Sequence, residues 1–167
     1  MNVFHIFLMS TTFLCSMVGG FLLAFAIVIM PGIKILSDKE FIKTFQAIDK
    51  VIQDRQPIFI IIWIGSIITL IITFILSLQE IEGFKFTLMI LSLLINLLGV
   101  HIPTIIINVP LNNKLQSFDI HTEDEKSCNT ARDNFELQWN RWNVIRTIFS
   151  CITSILLIIL LFSVYIE

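Results

Sequence analysis

Charge is scarce in this chain. Only 14% of its 167 residues are Asp, Glu, Lys or Arg, whereas about 25% is usual for a soluble domain. The formal net charge is −2 and there is no basic tail, so nothing in the charge indicates nucleic-acid binding. By contrast, 56% of the residues are hydrophobic and the mean hydropathy is +0.87. This composition predicts an integral membrane protein whose partners are membrane lipid, small apolar molecules or other membrane chains, and it leaves the oligomeric state open.

Cysteine is also scarce. The chain has three cysteines, Cys15, Cys128 and Cys151, which are too few and too scattered for a disulfide framework. No CxxC motif and no Cys/His pair has zinc spacing, and His5 and His121 lack neighbours that would indicate a metal. The sequence therefore predicts no metal site, and it indicates no cofactor.

Four apolar runs are each long enough to cross a membrane as a helix. The predicted spans are residues 6–30, 57–78, 86–107 and 144–166, and the long connectors are 31–56 and 108–143. Together they account for the whole length, so we expect a single domain over residues 1–167. The predicted fold is all-α, an integral membrane four-helix bundle.

Several local signals predict where these helices begin, end and touch. Pro31, in the sequence Met-Pro-Gly, should end the first span. Gly19 and Gly20, near the middle of that span, should allow close contact with another helix. Thr130 and Asp133 are suited to cap the last helix.

A shorter helix is predicted in the first long connector. Ser37 and Glu40 have the spacing of a capping box, and the helix they begin should reach about Asp54. Phe41 and Phe45 belong to one apolar face, and the lysines lie off it. At about five turns with several charges, this helix is too short and too polar to span. We expect an amphipathic helix that lies along the interface or covers the mouth of the bundle.

The third span is the most polar of the four. His101, Thr104 and Asn108 share one helical face at spacings of three and four residues. That face should point inward, because polar groups are costly against lipid tails. Pro110, between Asn108 and Asn112, frees backbone carbonyls of the preceding turn. Side-chain amides and free carbonyls together predict an acceptor site for a cation.

The last helix supplies cations in an aromatic setting. Six residues at spacings of three and four form one stripe: Arg132, Phe135, Trp139, Trp142, Arg146 and Phe149. Arg146 falls near the boundary of the fourth span, where a charged side chain must reach water, a partner or a ligand.

Two interpretations of this stripe remain open. In the first it is a structural latch, in which Asp49, Asp54 and Asn108 occupy the arginines and the tryptophans form an interfacial belt. In the second it lines an open apolar cleft in which Arg146 has no carboxylate partner, and the cleft binds a ligand.

The basic residues predict the orientation in the membrane. Of the 11 Lys and Arg, five lie between Lys34 and Arg55, five between Lys114 and Arg146, and the remaining one is Lys85. Because positive charge accumulates on the cytoplasmic side, both long connectors are expected there and both termini outside.

The stripe and the segment before it resemble a known family. The run Asn108–Leu115, read with the later helix, is similar to the anthrone oxygenase-like family of small four-helix membrane proteins, most of them uncharacterised. The matching residues of that helix are Arg132, Phe135, Trp139, Arg141, Trp142, Asn143, Arg146 and Thr147. The Met-Pro-Gly sequence at the end of the first span and the stretch Phe45–Asp49 extend the resemblance over nearly the whole chain. It implies a four-helix bundle in a bacterial plasma membrane.

The resemblance also implies an activity. In the few family members with an assigned reaction, dioxygen oxidises a fused-ring anthrone to the anthraquinone with no established cofactor. On that reading Arg132 and Arg146 hold an oxyanion and Trp139 and Trp142 stack on the rings. The remaining candidate residues are Asn108, Asn112 and Asn143 for binding, and His101 or Asp49 as the base. The alternative is a non-catalytic protein that binds lipid or supports a larger membrane assembly.

Overall fold

The computed structural model describes residues 2–165, and within that range it is helical with no strand. The predicted fourth span ends at Ile166, which lies outside the described residues. The helices are α1 (Val3–Lys34), α2 (Asp38–Gln53), α3 (Pro57–Glu80), α4 (Gly83–Gln116) and α5 (Glu125–Tyr165). Four of them, all except α2, are long and apolar enough to cross a membrane. The predicted all-α four-helix membrane fold is confirmed.

The four long helices turn apolar side chains outward. In the most apolar stretch of α3 only 17% of the residues are buried within the protein. Ile61, Ile68 and Ile75 are among the large side chains that α3 exposes. Such a continuous apolar surface is unfavourable in water and is what a lipid-facing helix presents to a bilayer. The chain is therefore an integral membrane protein in contact with lipid.

The helices pack in a definite order. α1 contacts α3 and α5, and α5 also packs along α4. Ile81 and Glu82 link α3 to α4, and Gly83 adopts a positive φ of 57° there. α3 packs against the first half of α4, over Gly83–Asn96. The second half of α4 lines a cavity together with the other four helices.

The amphipathic helix α2 covers one end of the bundle. The capping box is present: the Ser37 hydroxyl donates to Glu40 Oε2 at 2.6 Å, and the Ser37 backbone N–H donates to the same oxygen. The buried face of α2 packs on α5, where the Phe45 ring lies 4.5 Å from that of Phe135 and 5.5 Å from that of Trp139. The apolar face of α2 is therefore buried in the protein, and α2 closes the cavity on that side.

Pro31 does not end the first helix, which continues to Lys34. A π-helical turn over Phe25–Ile29 precedes it, and the Met30 N–H bonds to the carbonyl of Phe25, five residues back. Proline lacks an N–H and its ring collides with the carbonyl four residues earlier in a regular helix. The wider π-helical turn relieves the collision and leaves room for the missing hydrogen bond, so the helix continues past the proline.

A π-helical turn before a proline occurs twice more, in α4. π-Helical turns over Leu97–His101 and Thr104–Asn108 come just before Pro103 and Pro110. In each case the residue before the proline bonds five residues back, so α4 reaches Gln116. Each extra residue in a turn rotates the side chains that follow, and both turns lie beside the cavity.

The last helix begins earlier than predicted. Its first residue is Glu125, and Asp124 Oδ1 accepts a hydrogen bond from the Ser127 N–H at 2.8 Å. Thr130 lies inside the helix, where its hydroxyl donates to the Lys126 carbonyl. Thr130 and Asp133 are therefore not the caps. Asp124 belongs to the acidic run Glu123–Glu125, and an aspartate just before a helix can accept from the third helical N–H, so this run is the start signal of α5.

Glycines permit two close contacts between helices. A Cβ on Gly19 would lie 3.0 Å from Ser150 Oγ, so α1 and α5 approach closely there, whereas a Cβ on Gly20 would meet nothing within 4 Å. The predicted contact thus involves Gly19 alone. Gly99 makes a tighter approach that the sequence pattern did not reveal, because its Cβ would lie 2.5 Å from the Phe149 Cγ.

Gly99→Ala should therefore destabilise the bundle. The new methyl group overlaps the root of the Phe149 ring, and overpacking of this kind costs about 1–3 kcal/mol. Thermal unfolding in mild detergent measures the effect. Gly20→Ala is the matched control, since it adds the same methyl group in open space and should be neutral or slightly stabilising. Equal midpoints for the two variants would contradict the packing described here.

Candidate functional site

A cavity of about 330 Å³ lies between α1, α2, α3, the second half of α4 and α5. Its walls are largely apolar and aromatic, and a few polar side chains point into it. This volume is at the lower end of the range for small-molecule sites. The apolar lining consists of Phe21, Leu22, Phe25, Phe45, Ile52, Phe59, Trp63, Ile64, Ile67, Ile105, Val109 and Trp139. The polar lining consists of Asp49, His101, Thr104, Asn108, Asn112, Asn143 and Arg146.

Arg146 is the buried cation of the cavity. It is 4% exposed, and its Nη1 donates to Thr104 Oγ1 at 2.9 Å and its Nη2 to Asn143 Oδ1 at 3.1 Å. Within residues 2–165 its Nε has no hydrogen-bond partner and no carboxylate lies within ion-pair distance. Neutral oxygens therefore hold the guanidinium in place without neutralising it, which leaves it able to bind an anion.

His101 lies beside the same space. It is 4% exposed, and the Trp63 ring meets it edge to face at 5.7 Å. In the described part of the chain neither ring nitrogen has a hydrogen-bond partner. A neutral imidazole carries one donor and one acceptor, so this side chain can accept a proton or a hydrogen bond from a ligand.

Two asparagines join the helices around the cavity. Asn108 Nδ2 donates to the backbone carbonyl of Trp139 at 3.4 Å, and its Oδ1 is buried without a partner among the described residues. Asn143 Nδ2 donates to the Leu22 carbonyl on α1 at 3.2 Å. The first contact joins α4 to α5 and the second joins α1 to α5, so both side chains fix the relative positions of the helices that form the cavity walls.

At the α2 side, a chain of hydrogen bonds ends on a carboxylate. Trp139 Nε1 donates to Asn112 Oδ1 at 2.6 Å, and Asn112 Nδ2 donates to Asp49 Oδ1 at 2.8 Å. Gln53 Nε2 donates to Asp49 Oδ2 at 2.6 Å. Asp49 is 3% exposed, and burial raises the pKa of its carboxyl while the bonds from Gln53 and Asn112 oppose the rise.

Arg132 is placed elsewhere, away from the cavity lining. Its guanidinium pairs with Asp38 at 3.0 Å and Glu136 at 2.7 Å. It also donates to the carbonyls of Lys34, the last residue of α1, and of Leu36 in the loop that follows. These contacts fasten the loop between α1 and α2 to α5. Of the two arginines in the stripe, Arg132 is in a latch and Arg146 is in the cavity.

The other predicted residues also form two groups, those that line the cavity and those that lie outside it. His101, Asp49, Asn108, Asn112, Trp139, Asn143 and Arg146 all line the one cavity. Trp142 is half-buried and does not line it, and Asp54 is exposed at the end of α2. The structure therefore brings together seven of the nine predicted site residues and leaves Arg132 and Trp142 outside.

Some lining residues were missed by sequence reasoning. Trp63 reads as a lipid-facing or packing residue, yet it forms a wall of the cavity beside His101. Thr104 was placed on the inward face of α4 by its spacing, but its role as the hydrogen-bond acceptor that orients Arg146 was not predicted. For Trp63 the only signal was its size, because an isoleucine-rich helix does not show which face meets another helix.

The described residues contain no group of three or more His, Cys, Asp or Glu able to hold a metal ion. In the cavity, His101 and Asp49 are the side chains with metal-ligating or proton-transfer chemistry. The arrangement can bind an anion at Arg146, accept a proton at His101 and enclose flat rings among the aromatic side chains.

The raised pKa of Asp49 predicts how stability depends on pH. The folded protein holds the Asp49 proton more tightly than the unfolded chain, in which the pKa is about 3.9. The free energy of unfolding should therefore fall as pH rises from about 4 through the raised pKa. Asp49→Asn removes this dependence. Unfolding midpoints of both proteins in mild detergent, from pH 4 to 8, measure the difference.

The exposed carboxylate of Asp54 supplies the control for this experiment. Asp54→Asn also removes one negative charge from the end of α2, and its pH curve should follow the wild type. If the wild type and Asp49→Asn gave parallel curves over the whole range, burial would not be raising the pKa of this carboxyl.

Comparison with known proteins places the chain in a family. The family model described as Anthrone oxygenase matches residues 57–156, well over half of the chain, and covers α3, α4 and most of α5. The match does not extend to α1 or α2, so it is narrower than the resemblance read from the sequence. No curated protein and no solved structure matches this chain. On the family match, this integral membrane protein belongs to the anthrone oxygenase family.

Proposed function

We propose that this protein is a membrane oxidoreductase that uses dioxygen to oxidise a small aromatic molecule of quinoid or phenolic type, such as an anthrone. The observation that carries the proposal is Arg146, a cation buried in an aromatic cavity with neutral partners and, among residues 2–165, no carboxylate within ion-pair distance. An unneutralised cation at membrane depth is costly to maintain, and binding an anionic ligand offsets that cost. The family match supports the same class of reaction.

The walls of the cavity favour a flat ring system. Trp139 lies below the Arg146 guanidinium at 5.9 Å, and Phe25 and Phe45 pack around the indole. Aromatic faces stack on fused rings, and a nearby guanidinium stabilises the negative charge that develops on a ring oxygen. A substrate with a carbonyl conjugated to its rings would place that oxygen at Arg146.

The reaction then divides between two side chains. A ring nitrogen of His101 removes a proton from the CH₂ group of the anthrone, and Arg146 stabilises the resulting enolate oxygen. The enolate carbon forms a bond to dioxygen, and the proton held by His101 is transferred to the resulting peroxide oxygen to give a hydroperoxide. Loss of water from the hydroperoxide leaves a carbonyl, so that CH₂ plus O₂ becomes C=O plus H₂O. The substrate supplies all the electrons that reduce dioxygen.

His101 suits the role of base better than Asp49 does. Both ring nitrogens of His101 are without partners in the described chain, whereas both oxygens of Asp49 already accept hydrogen bonds. Arg132 is left out of the proposal, because two carboxylates and two carbonyls occupy its guanidinium.

We place this cavity at the cytoplasmic side of the membrane. Gln46 on α2 donates to the carbonyls of Leu115 and Phe118, so the two long connectors meet at one end of the bundle. Ten of the 11 Lys and Arg belong to the chain between Lys34 and Arg55 or between Lys114 and Arg146. Positive charge on the cytoplasmic side supports this orientation, with both termini outside.

A non-catalytic lipid-binding role is the second candidate. The exposed residues that line the cavity include Ile64 and Ile105, which are 48% and 64% exposed on membrane helices. An opening with such a rim faces lipid chains, and a lipid headgroup with an anionic oxygen would also satisfy Arg146. This reading predicts lipid that co-purifies with the protein.

Oxidation of a simple anthrone in air, followed by absorbance, tests the enzymatic proposal. Arg146→Gln should lower kcat by about 10²–10³, the usual cost of losing one oxyanion donor. His101→Gln should lower it by about 10²–10⁴, as expected for a general base. Arg141→Gln is the control, because Arg141 is an exposed cation on the same helix and its loss should leave the rate unchanged.

Two outcomes would count against the enzymatic proposal. Wild-type turnover by well-folded Arg146→Gln protein would remove the assigned role of the guanidinium. A folded wild type without any turnover, carrying tightly bound lipid that Arg146→Gln loses, would favour the lipid-binding role.

A further inference from the structure

The cavity contains opposite charges that do not neutralise each other. Arg146 and Asp49 both line it and both are almost completely buried. They form no ion pair with each other, since Arg146 donates to Thr104 and Asn143, whereas Asp49 accepts from Gln53 and Asn112. Buried opposite charges that remain apart leave room for a ligand between them.

Trp139 is connected to both groups. The Arg146 guanidinium lies over its ring at 5.9 Å, and Asp49 is connected to its Nε1 through Asn112. The cation thus lies over the indole ring, and the carboxylate lies beyond the nitrogen at the edge of that ring. A planar ligand stacked on that indole would have one edge near Arg146 and another near Asp49.

The orientation of Asp49 is determined by its neighbours. Trp139 Nε1 is only a donor, so the amide oxygen of Asn112 must face it and the amide nitrogen must face Asp49. Gln53 holds the second carboxylate oxygen. A carboxylate has about four acceptor positions, and these two bonds use half of them. Asp49 can therefore accept a further hydrogen bond from a ligand in the cavity.

We infer that Asp49 is a specificity-determining residue that accepts a hydrogen bond from a hydroxyl group of the ligand, at the edge opposite the acidic oxygen bound by Arg146. This rests on the proposed aromatic ligand and names its class more closely: a flat ring system with an acidic oxygen at one edge and a hydroxyl at the other. A ligand with an ether in place of that hydroxyl accepts but cannot donate, so it leaves Asp49 without the bond.

Two naphthalene probes isolate this hydrogen bond. 2,6-Dihydroxynaphthalene has a hydroxyl at each edge, and 6-methoxy-2-naphthol differs only in that one hydroxyl is methylated. Their dissociation constants are measured by titration calorimetry on the full chain in mild detergent, without oxygen so that no turnover occurs. The diol should bind the wild type on the order of tenfold more tightly, as expected for a hydrogen bond to a charged acceptor.

Variants then identify the acceptor. In Asp49→Asn the one remaining oxygen is needed by Asn112, so the preference for the diol should fall to within about twofold. Asp54→Asn removes an exposed carboxylate from the same helix and should keep the full preference. Arg146→Gln should weaken both probes alike and leave their ratio unchanged. Asp49→Ala supplies a second variant if the amide perturbs the fold of α2.

The results separate this inference from the proposed reaction. Equal binding of the two probes by the wild type, no binding of either, or a preference that survives in both Asp49 variants would overturn the role of Asp49. A preference lost with Asp49 supports it, whether or not the protein oxidises an anthrone in air.

Discussion

The burial of one cation, the guanidinium of Arg146, is the main physical constraint on this structure. Arg146 lies within a membrane helix, and the structure holds its guanidinium with a threonine hydroxyl and an amide oxygen in place of a carboxylate. Bringing a charge to this depth is unfavourable unless nearby dipoles replace water. Much of the surrounding architecture supplies those dipoles: α4 contributes Thr104, α5 contributes Asn143, and Asn143 is itself bonded to α1.

The irregular half of α4 makes this environment. A regular helix satisfies its backbone internally and leaves only its side chains to act, but prolines at 103 and 110 would interrupt it. Two π-helical turns carry α4 past both prolines while keeping His101, Thr104 and Asn108 beside the cavity. Wide turns of this kind commonly accompany functional sites, because they change which face a side chain occupies without ending the helix.

Arg132 and Arg146, the two arginines of the stripe on α5, have different roles because they lie at different depths. Arg132 lies where the helix projects beyond the apolar segment, so it meets Asp38 and Glu136 and fastens the α1–α2 loop. Arg146 lies two turns beyond Trp139 and meets no carboxylate among the described residues. α2 connects the two regions: its apolar face packs on Phe135 and Trp139, and its Asp49 enters the cavity on the side away from Arg146.

Much of this could be predicted from the sequence alone. Long apolar runs determine the four membrane helices, because only a helix satisfies its backbone within the hydrocarbon. The capping box determines where α2 begins. Spacings of three and four residues identified His101 and Asn108 on α4 and Trp139 and Arg146 on α5. Asn112 was identified by its place beside Pro110, and Asn143 by the family resemblance. The signal is strong for the ionisable residues, since such side chains are rare within membrane spans and almost always face the interior of the bundle.

Other features were decided only by tertiary structure. Periodicity assigns a residue to a face of its own helix but does not tell which helix lies opposite. Arg132 and Arg146 share one stripe, and their different partners depend on where α2 and α4 pack. Trp63 and Gly99 gain their roles from neighbours on other helices, His101 and Phe149.

Pro31 predicts a helix end from local chemistry, and only the π-helical turn before it shows that the helix continues. The sequence by itself determined the membrane helices and their polar residues; packing decided which of those residues form one cavity, because that depends on the relative placement of five helices.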